Sequence, residues 1–309
     1  MIASVFSKTR PINYLLIGFL IVICFFSLII SENKLYFDWP NVLNQSLFLF
    51  LIIASTVLVN FISLKNNLTK NNTYAALLFF IFMMFFPAIF ENKNILISNF
   101  LLLLALRRLI SLKSMLNTKE KIFDASFWIF LSALFHFWSI FYIILVFISI
   151  ILDVSRDFKN WLIPFIALFT VAILFFLFND VLDNSLYERL INKTYVGFNF
   201  SYFENVYQNL ALAIFTSVSL LLFVSFIMGM NQKMLNMQTS YKKVLFSFVL
   251  GVGIFILSAN KNNGYLAFSL APLAIIGANF LEDLKTNWVK ETTLYIFFFL
   301  GVFFFITQL

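Results

Sequence analysis

Apolar runs of about twenty residues, the first at residues 12–30, recur to the end of this chain with only short polar breaks, and this feature constrains the fold most. A helix rises about 1.5 Å per residue, so each run is long enough to cross a hydrocarbon core of roughly 30 Å. Hydrophobic residues are 62% of the chain and charged residues 11%, which makes the bilayer its solvent. Candidate spans fall at 12–30, 46–64, 74–90, 95–112, 161–178, 209–229, 244–258, 265–281 and 292–306. The longest polar gap, about residues 179–207, is below the size at which a domain usually folds unaided. The expectation is therefore one integral membrane domain over residues 1–309, without a separate soluble domain. The start carries Lys8 and Arg10 like a secretory signal, but its apolar stretch is long and no small-residue cleavage pattern follows, so it reads as a retained first helix.

Residues 123–152 are too long for one ordinary span and too short for two full ones, with His136 near the middle. Positive charge decides between the readings, because Lys and Arg are retained on the cytoplasmic side. With the N-terminus inside, a hairpin places 16 basic residues inside and 5 outside, whereas a single crossing gives 12 against 9. The charges predict a hairpin. The expected fold class is an all-α polytopic transmembrane bundle, about nine full spans plus a short helical pair, eleven helices in all, with the C-terminus outside. A pair too short to span has to be buried against protein or water, which points to a cavity near His136 and Trp138. The aromatics around them fit a lipid-facing or interfacial role equally well.

Composition removes several chemistries. One histidine and one cysteine, Cys24, cannot supply a zinc, haem-copper or multi-histidine iron site, and no internal disulfide is available. Carboxylates remain able to hold a hard divalent cation such as Mg or Mn, the one cofactor class left open. No phosphate-binding loop is present, and the lone Gly251-Val252-Gly253 lies in an apolar span, so ATP-driven transport by this chain is not expected. The net charge of +7 is explained by the inside loops, leaving no case for nucleic acid as a partner. The 45 Phe could suggest a pigment or isoprenoid pocket, but the expectation is that they are ordinary lipid-facing residues.

The carboxylates are what remains. On this topology Glu32, Asp38 and Glu91 lie at outward helix ends, where a carboxylate can bind a cation or activate a hydroxyl and where Tyr36, Phe37 and Trp39 can stack on sugar faces. A solvated loop with an interfacial aromatic belt accounts for the same pattern. In the long outer loop Leu182, Leu186 and Leu190 repeat every four residues, so a helix there would lie flat and cap a lipid cavity, or simply rest at the interface. Arg189 and Lys193 in that loop are placed to meet a lipid phosphate. Near the end, Ala267, Ala271, Ala274 and Ala278 form a small face suited to close helix packing, with Pro272 in a position to kink it.

The opening Phe6-Ser7-Lys8-Thr9-Arg10-Pro11-Ile12-Asn13 and the stretch Phe123-Asp124-Ala125-Ser126-Phe127-Trp128 resemble a family of small polytopic inner-membrane proteins from Bacteroidota-type bacteria, to which no activity is assigned. More distantly, an outward acid after the first helix, another after the third, and a short helical pair following Leu106-Arg107-Arg108-Leu109 are similar to the membrane core of C-type glycosyltransferases. That resemblance covers roughly the first two-thirds of the chain. It implies a polyprenyl-phosphate-linked sugar as donor, Glu32 or Asp38 as base, Glu91 as a second acid near the donor or metal, and Arg189 or Lys193 as a phosphate contact. The chain departs from that core in its short first outer loop and in lacking a paired Asp-Asp or Asp-Glu motif there. The expected function is a glycosyltransferase-like enzyme at the outer face of the bacterial inner membrane. The alternatives are a non-catalytic scaffold or subunit of a cell-envelope complex, with an envelope protein as partner, and a secondary transporter, for which no internal repeat is evident.

Overall fold

A computed structural model describes residues 2–31, 39–155, 157–181, 187, 194–197, 205–259 and 261–309. Among them are thirteen α-helices: α1 (Ile2–Phe6), α2 (Pro11–Ser31), α3 (Trp39–Lys65), α4 (Tyr74–Met84), α5 (Ala88–Glu91), α6 (Lys93–Ser111), α7 (Thr118–Phe135), α8 (Ile143–Ser149), α9 (Lys159–Val181), α10 (Val206–Met230), α11 (Leu235–Leu257), α12 (Ala267–Asp283) and α13 (Asn287–Thr307). Nine helical segments among the described residues are long and apolar enough to cross a membrane, and the protein is a multi-pass membrane protein.

Those nine are not quite the nine the hydropathy suggests. The run at 74–90 is cut by Pro87, which lacks a backbone N–H and disfavours helix at Phe86 before it. What remains is α4, eleven residues and about 16 Å long, with every side chain buried, followed by the single turn α5. In its place Phe137–Val154 joins the nine, a continuous arm made of a 3-10 turn (Phe137–Tyr142), α8 and a π-helical end (Ile150–Val154). The segment 123–152 does break at His136. Its first arm, α7, begins as early as Thr118, so each arm has 18 residues and measures about 27 Å.

By contacts the chain divides into two compact units, each assembled from distant stretches. The first comprises residues 1–96, 203–232 and 270–309. Its centre is phenylalanine: Phe79, Phe80, Phe82, Phe85 and Phe86 are fully buried. Phe86 meets Phe215 edge-on at 5.0 Å between centroids, and Phe85 meets Phe304 at 5.3 Å. Polar contacts gather around α1. Glu291 accepts from Ala3 N at 3.0 Å and Ser4 N at 3.4 Å, Tyr74 Oη donates to Ala3 O at 2.8 Å, and Asn13 Nδ2 reaches Val5 O, Lys8 O and Thr73 Oγ1. The short helix thus has its first amides closed by a carboxylate, which also suits the positive end of its dipole. Ala271, Ala274 and Ala278 are buried, as a close-packing face requires.

The second unit comprises residues 97–202 and 233–269. Its contacts fix the sense of the hairpin. Ser98 near the start of α6 meets Ser132 near the end of α7, while Arg108 near the end of α6 pairs with Asp124 in the first half of α7 at 2.9 Å. The return arm carries Tyr142 against Ser247 at its start and Asp153 against Lys243 and Leu109 at its finish, once α11 is followed backwards. The hairpin therefore returns to the end of the unit from which it set out.

Candidate functional site

Nothing in the local sequence stops α7 at His136: no proline or glycine is near. Its neighbours in space supply the reason. The imidazole lies stacked on Phe268 at 5.2 Å and beside Tyr265 at 4.7 Å, and Nε2 is 3.1 Å from Ser258 Oγ. With the ring held, the backbone leaves the helix in an extended conformation (φ −135°, ψ 106°) and the chain turns into the 3-10 segment. Ser258 Oγ donates to Ile254 O at 2.7 Å, so its proton is committed and it offers His136 only lone pairs. The pair thus fixes the ring, and with Ser258 Oγ also on Ile254 O it is not arranged as a base with an activated hydroxyl.

Around this tip the polar groups are satisfied in a compact set. Ser132 Oγ lies 2.6 Å from Ser98 Oγ and 2.9 Å from Ser139 Oγ and donates to Ser98 O. Lys261 Nζ donates to Ile256 O at 2.6 Å and lies 3.3 Å from Phe255 O and Ser258 O, closing the carbonyl end of α11. Burial pushes the Lys261 pKa below the ordinary lysine value. Residues 195 and 196 are fastened here as well: Trp138 Nε1 donates to Tyr195 O at 3.3 Å, and Val196 forms an antiparallel bridge with Ser258. Earlier in the chain Tyr187 N donates to Asn179 Oδ1 at 2.9 Å. On the side of the tip facing α9 opens a cleft of about 240 Å³, walled by Phe130, Leu134, Phe137, Leu168, Val171 and Phe175 among others, all apolar.

Deeper in the same unit the polar contacts continue along α11. Tyr142 Oη lies 3.0 Å from Ser247 Oγ and donates to Phe268 O at 3.1 Å. That carbonyl would bond the amide of residue 272 in a regular helix, but Pro272 has none, so the tyrosine fills a vacancy made by the proline. Gly251 permits the approach, since a Cβ there would stand 2.6 Å from Phe268 O. Finally Lys243, fully buried, pairs with Asp153 and donates to Leu109 O at 2.6 Å, one of the last carbonyls of α6.

Of the residues singled out from sequence, Glu32, Asp38, Arg189 and Lys193 lie outside the described residues. Glu91 is the exposed last residue of α5. His136 and Trp138 sit together at the hairpin tip, and the cleft beside them is walled by their neighbour Phe137 rather than by either of them. Among the described residues no group of three or more His, Cys, Asp or Glu side chains is placed to hold a metal ion. Sequence reasoning counted Lys243 among the loop cations and did not single out Asp153. The signal was present in Ser240, Lys243, Ser247, Gly251 and Ser258, which recur at helical spacing on one face of α11. No curated protein and no solved structure matches this chain. Over residues 1–309 it matches the model of DUF6427, a family of unknown function, and with this helical architecture it belongs to that family.

Proposed function

We propose that the protein is a membrane enzyme that transfers a sugar or related group from a polyprenyl-phosphate-linked donor at the outer face of the bacterial inner membrane. The observation that carries the reading is the pair of points at which the segment after α9 is held, one at Asn179 and one at the hairpin tip. Residues 194–197 are held by Trp138 and Ser258 directly after Lys193, and Tyr187 is held by Asn179 directly before the stretch that contains Arg189. Two cations that suit a lipid phosphate are thus bracketed, in sequence, by two anchored points beside an apolar cleft. In this reading the hairpin keeps the count at 16 basic residues inside against 5 outside, which supports a cytoplasmic N-terminus and an outer C-terminus.

In this reading Glu32 or Asp38 removes the acceptor proton, Glu91 is the second acid, and Arg189 and Lys193 neutralise the donor phosphate. A divalent Mg or Mn ion on the carboxylates is part of the same reading. The test is transfer from a labelled polyprenyl-phosphate sugar by the purified protein in proteoliposomes, together with the glycan profile of cells. Glu32→Gln, Asp38→Asn and Glu91→Gln combined are expected to abolish transfer while leaving the fold intact. Unchanged transfer and an unchanged glycan profile would overturn the reading, and a partner that co-purifies with the silent triple variant would favour the scaffold.

A further inference from the structure

The end of the second unit remote from His136 carries a feature that this enzymatic reading does not use. Five large apolar side chains, Met115, Leu116, Phe158, Met234 and Leu235, are between 62% and 83% exposed there. They sit in turns and at helix starts rather than on the faces of spans: Met115 and Leu116 between α6 and α7, Phe158 just before α9, Met234 and Leu235 where α11 begins. These turns are neighbours, because Lys113 Nζ contacts Met237 Sδ at 2.6 Å and Lys119 Nζ is 3.9 Å from Asp157 Oδ2.

The first turn is built to present its apolar pair. Met115 and Asn117 take left-handed backbone conformations, with φ of 56° and 49°, which side chains other than glycine adopt uncommonly. The geometry is held in place: Lys121 Nζ donates to Ser111 O at 2.9 Å and Ser114 Oγ at 2.7 Å, and Asn117 Nδ2 donates to Glu120 Oε2 at 3.1 Å. Charge surrounds the apolar tips. Between Arg107 and Lys243 this end has, among the described residues, nine Lys and Arg (107, 108, 113, 119, 121, 159, 233, 242 and 243) against the four acids Glu120, Asp124, Asp153 and Asp157. Lys243 and Asp153 are paired inward and Arg108 is paired with Asp124, which leaves seven cations against Glu120 and Asp157.

We propose that these three turns form a seat for an anionic lipid leaflet, with Met115 and Leu116 entering the hydrocarbon boundary and the surrounding lysines taking lipid phosphate. Apolar tips interleaved with cations match a headgroup layer over hydrocarbon, and the helices that carry the turns cross the membrane, so that layer lies at their ends. An acidic protein partner would use the same charges but leaves the apolar pair in water whenever it departs.

The experiment uses the full-length protein with Cys24→Ser and Leu116→Cys, labelled with bimane and reconstituted in vesicles of phosphatidylcholine with phosphatidylglycerol. The expected result is strong quenching by lipids brominated near the headgroup and weak quenching by aqueous iodide. Brominated phosphatidylglycerol is expected to be preferred over brominated phosphatidylcholine by about fivefold, the scale of one lysine at an anionic surface. Lys113→Gln with Lys119→Gln should bring that preference close to parity. Iodide quenching that exceeds bromolipid quenching overturns the proposal in the parent protein itself, without reliance on a charge variant. So does equal quenching by the two lipids. A label open to iodide in vesicles but shielded in native membranes overturns it in favour of a protein partner.

Discussion

The centre of one unit of this protein is packed with rings, while in the other polar pairs recur along a single helix. In the first, α4 brings Phe79, Phe80 and Phe82 into a fully buried aromatic centre, extended by Phe85 and Phe86, and the polar contacts gather around α1. In the second, polar pairs recur along α11, from Ser258 with His136 through Ser247 with Tyr142 to Lys243 with Asp153. Lipid tails are as apolar as leucine, so burial alone does not draw helices together within a bilayer, and association rests on close packing and on specific polar contacts. The two units divide these two means between them. The difference teaches that a uniformly apolar sequence can hold two kinds of interior, one tolerant of shape change by degrees and one dependent on particular partners.

The largest effect is expected at Lys243. Lys243→Met leaves Asp153 buried without its cation and opens the end of α6, which should cost about 3–5 kcal/mol. Lys243→Met combined with Asp153→Leu should recover most of that loss, because a buried pair replaced by apolar groups is often neutral. Denaturant titration in bicelles checks both, and a double variant no better than the single one would break the comparison. The counterpart in the first unit is Phe86→Ala, expected to cost about 3 kcal/mol, whereas Phe86→Leu should cost less than about 1.5. There the loss should scale with the volume removed, and no second substitution should restore it.

Much of this architecture is legible in the sequence, and the failures have physical causes. The long spans follow from length, the break in 123–152 from length together with the count of basic residues, and the alanine face of α12 from spacing. The position of the break does not, because His136 is drawn out of the helix by Ser258, Tyr265 and Phe268, which are remote in sequence. Pro87 ends the helical run early, but a hydropathy window averages over it and so lengthens α4. Lys243 was read as a loop cation because such a window sees a charge and not the carboxylate 90 residues away. For the candidate site, Trp138 and His136 were found from their place in the hairpin. The bonds from Trp138 and Ser258 to residues 195 and 196 join distant segments and leave no local pattern.

Glycine sharpens the comparison at a smaller scale. A Cβ at Gly251 in the second unit would lie 2.6 Å from Phe268 O and 2.8 Å from Ser269 N, backbone atoms that cannot turn aside. At Gly277 in the first unit it would meet Leu78 Cδ1 at 2.9 Å, the end of a flexible side chain. Gly251→Ala is accordingly expected to destabilise by about 2 kcal/mol. Gly277→Ala should be close to neutral, since the leucine can shift and alanine favours helix by roughly 1 kcal/mol. Equal losses at the two positions, measured by thermal unfolding in detergent, would show that both units pack their helices alike.

The smallest of the expected losses, and the most discriminating, belongs to Tyr142→Phe. The ring keeps its place, and only the hydroxyl that serves Phe268 O and Ser247 is removed. Hydrogen bonds between membrane helices average about 0.6 kcal/mol, with a ceiling near 1.7, because the unfolded chain in lipid also finds partners. Phe268 O has no amide to fall back on, since Pro272 occupies that position, so the loss at this site should fall in the upper half of that range. Pro272→Ala would supply the missing amide and should reduce the cost of Tyr142→Phe when the two are combined. Additive behaviour in that double-mutant cycle would mean that the tyrosine and the proline act independently, and the second unit would then owe its cohesion to packing just as the first does.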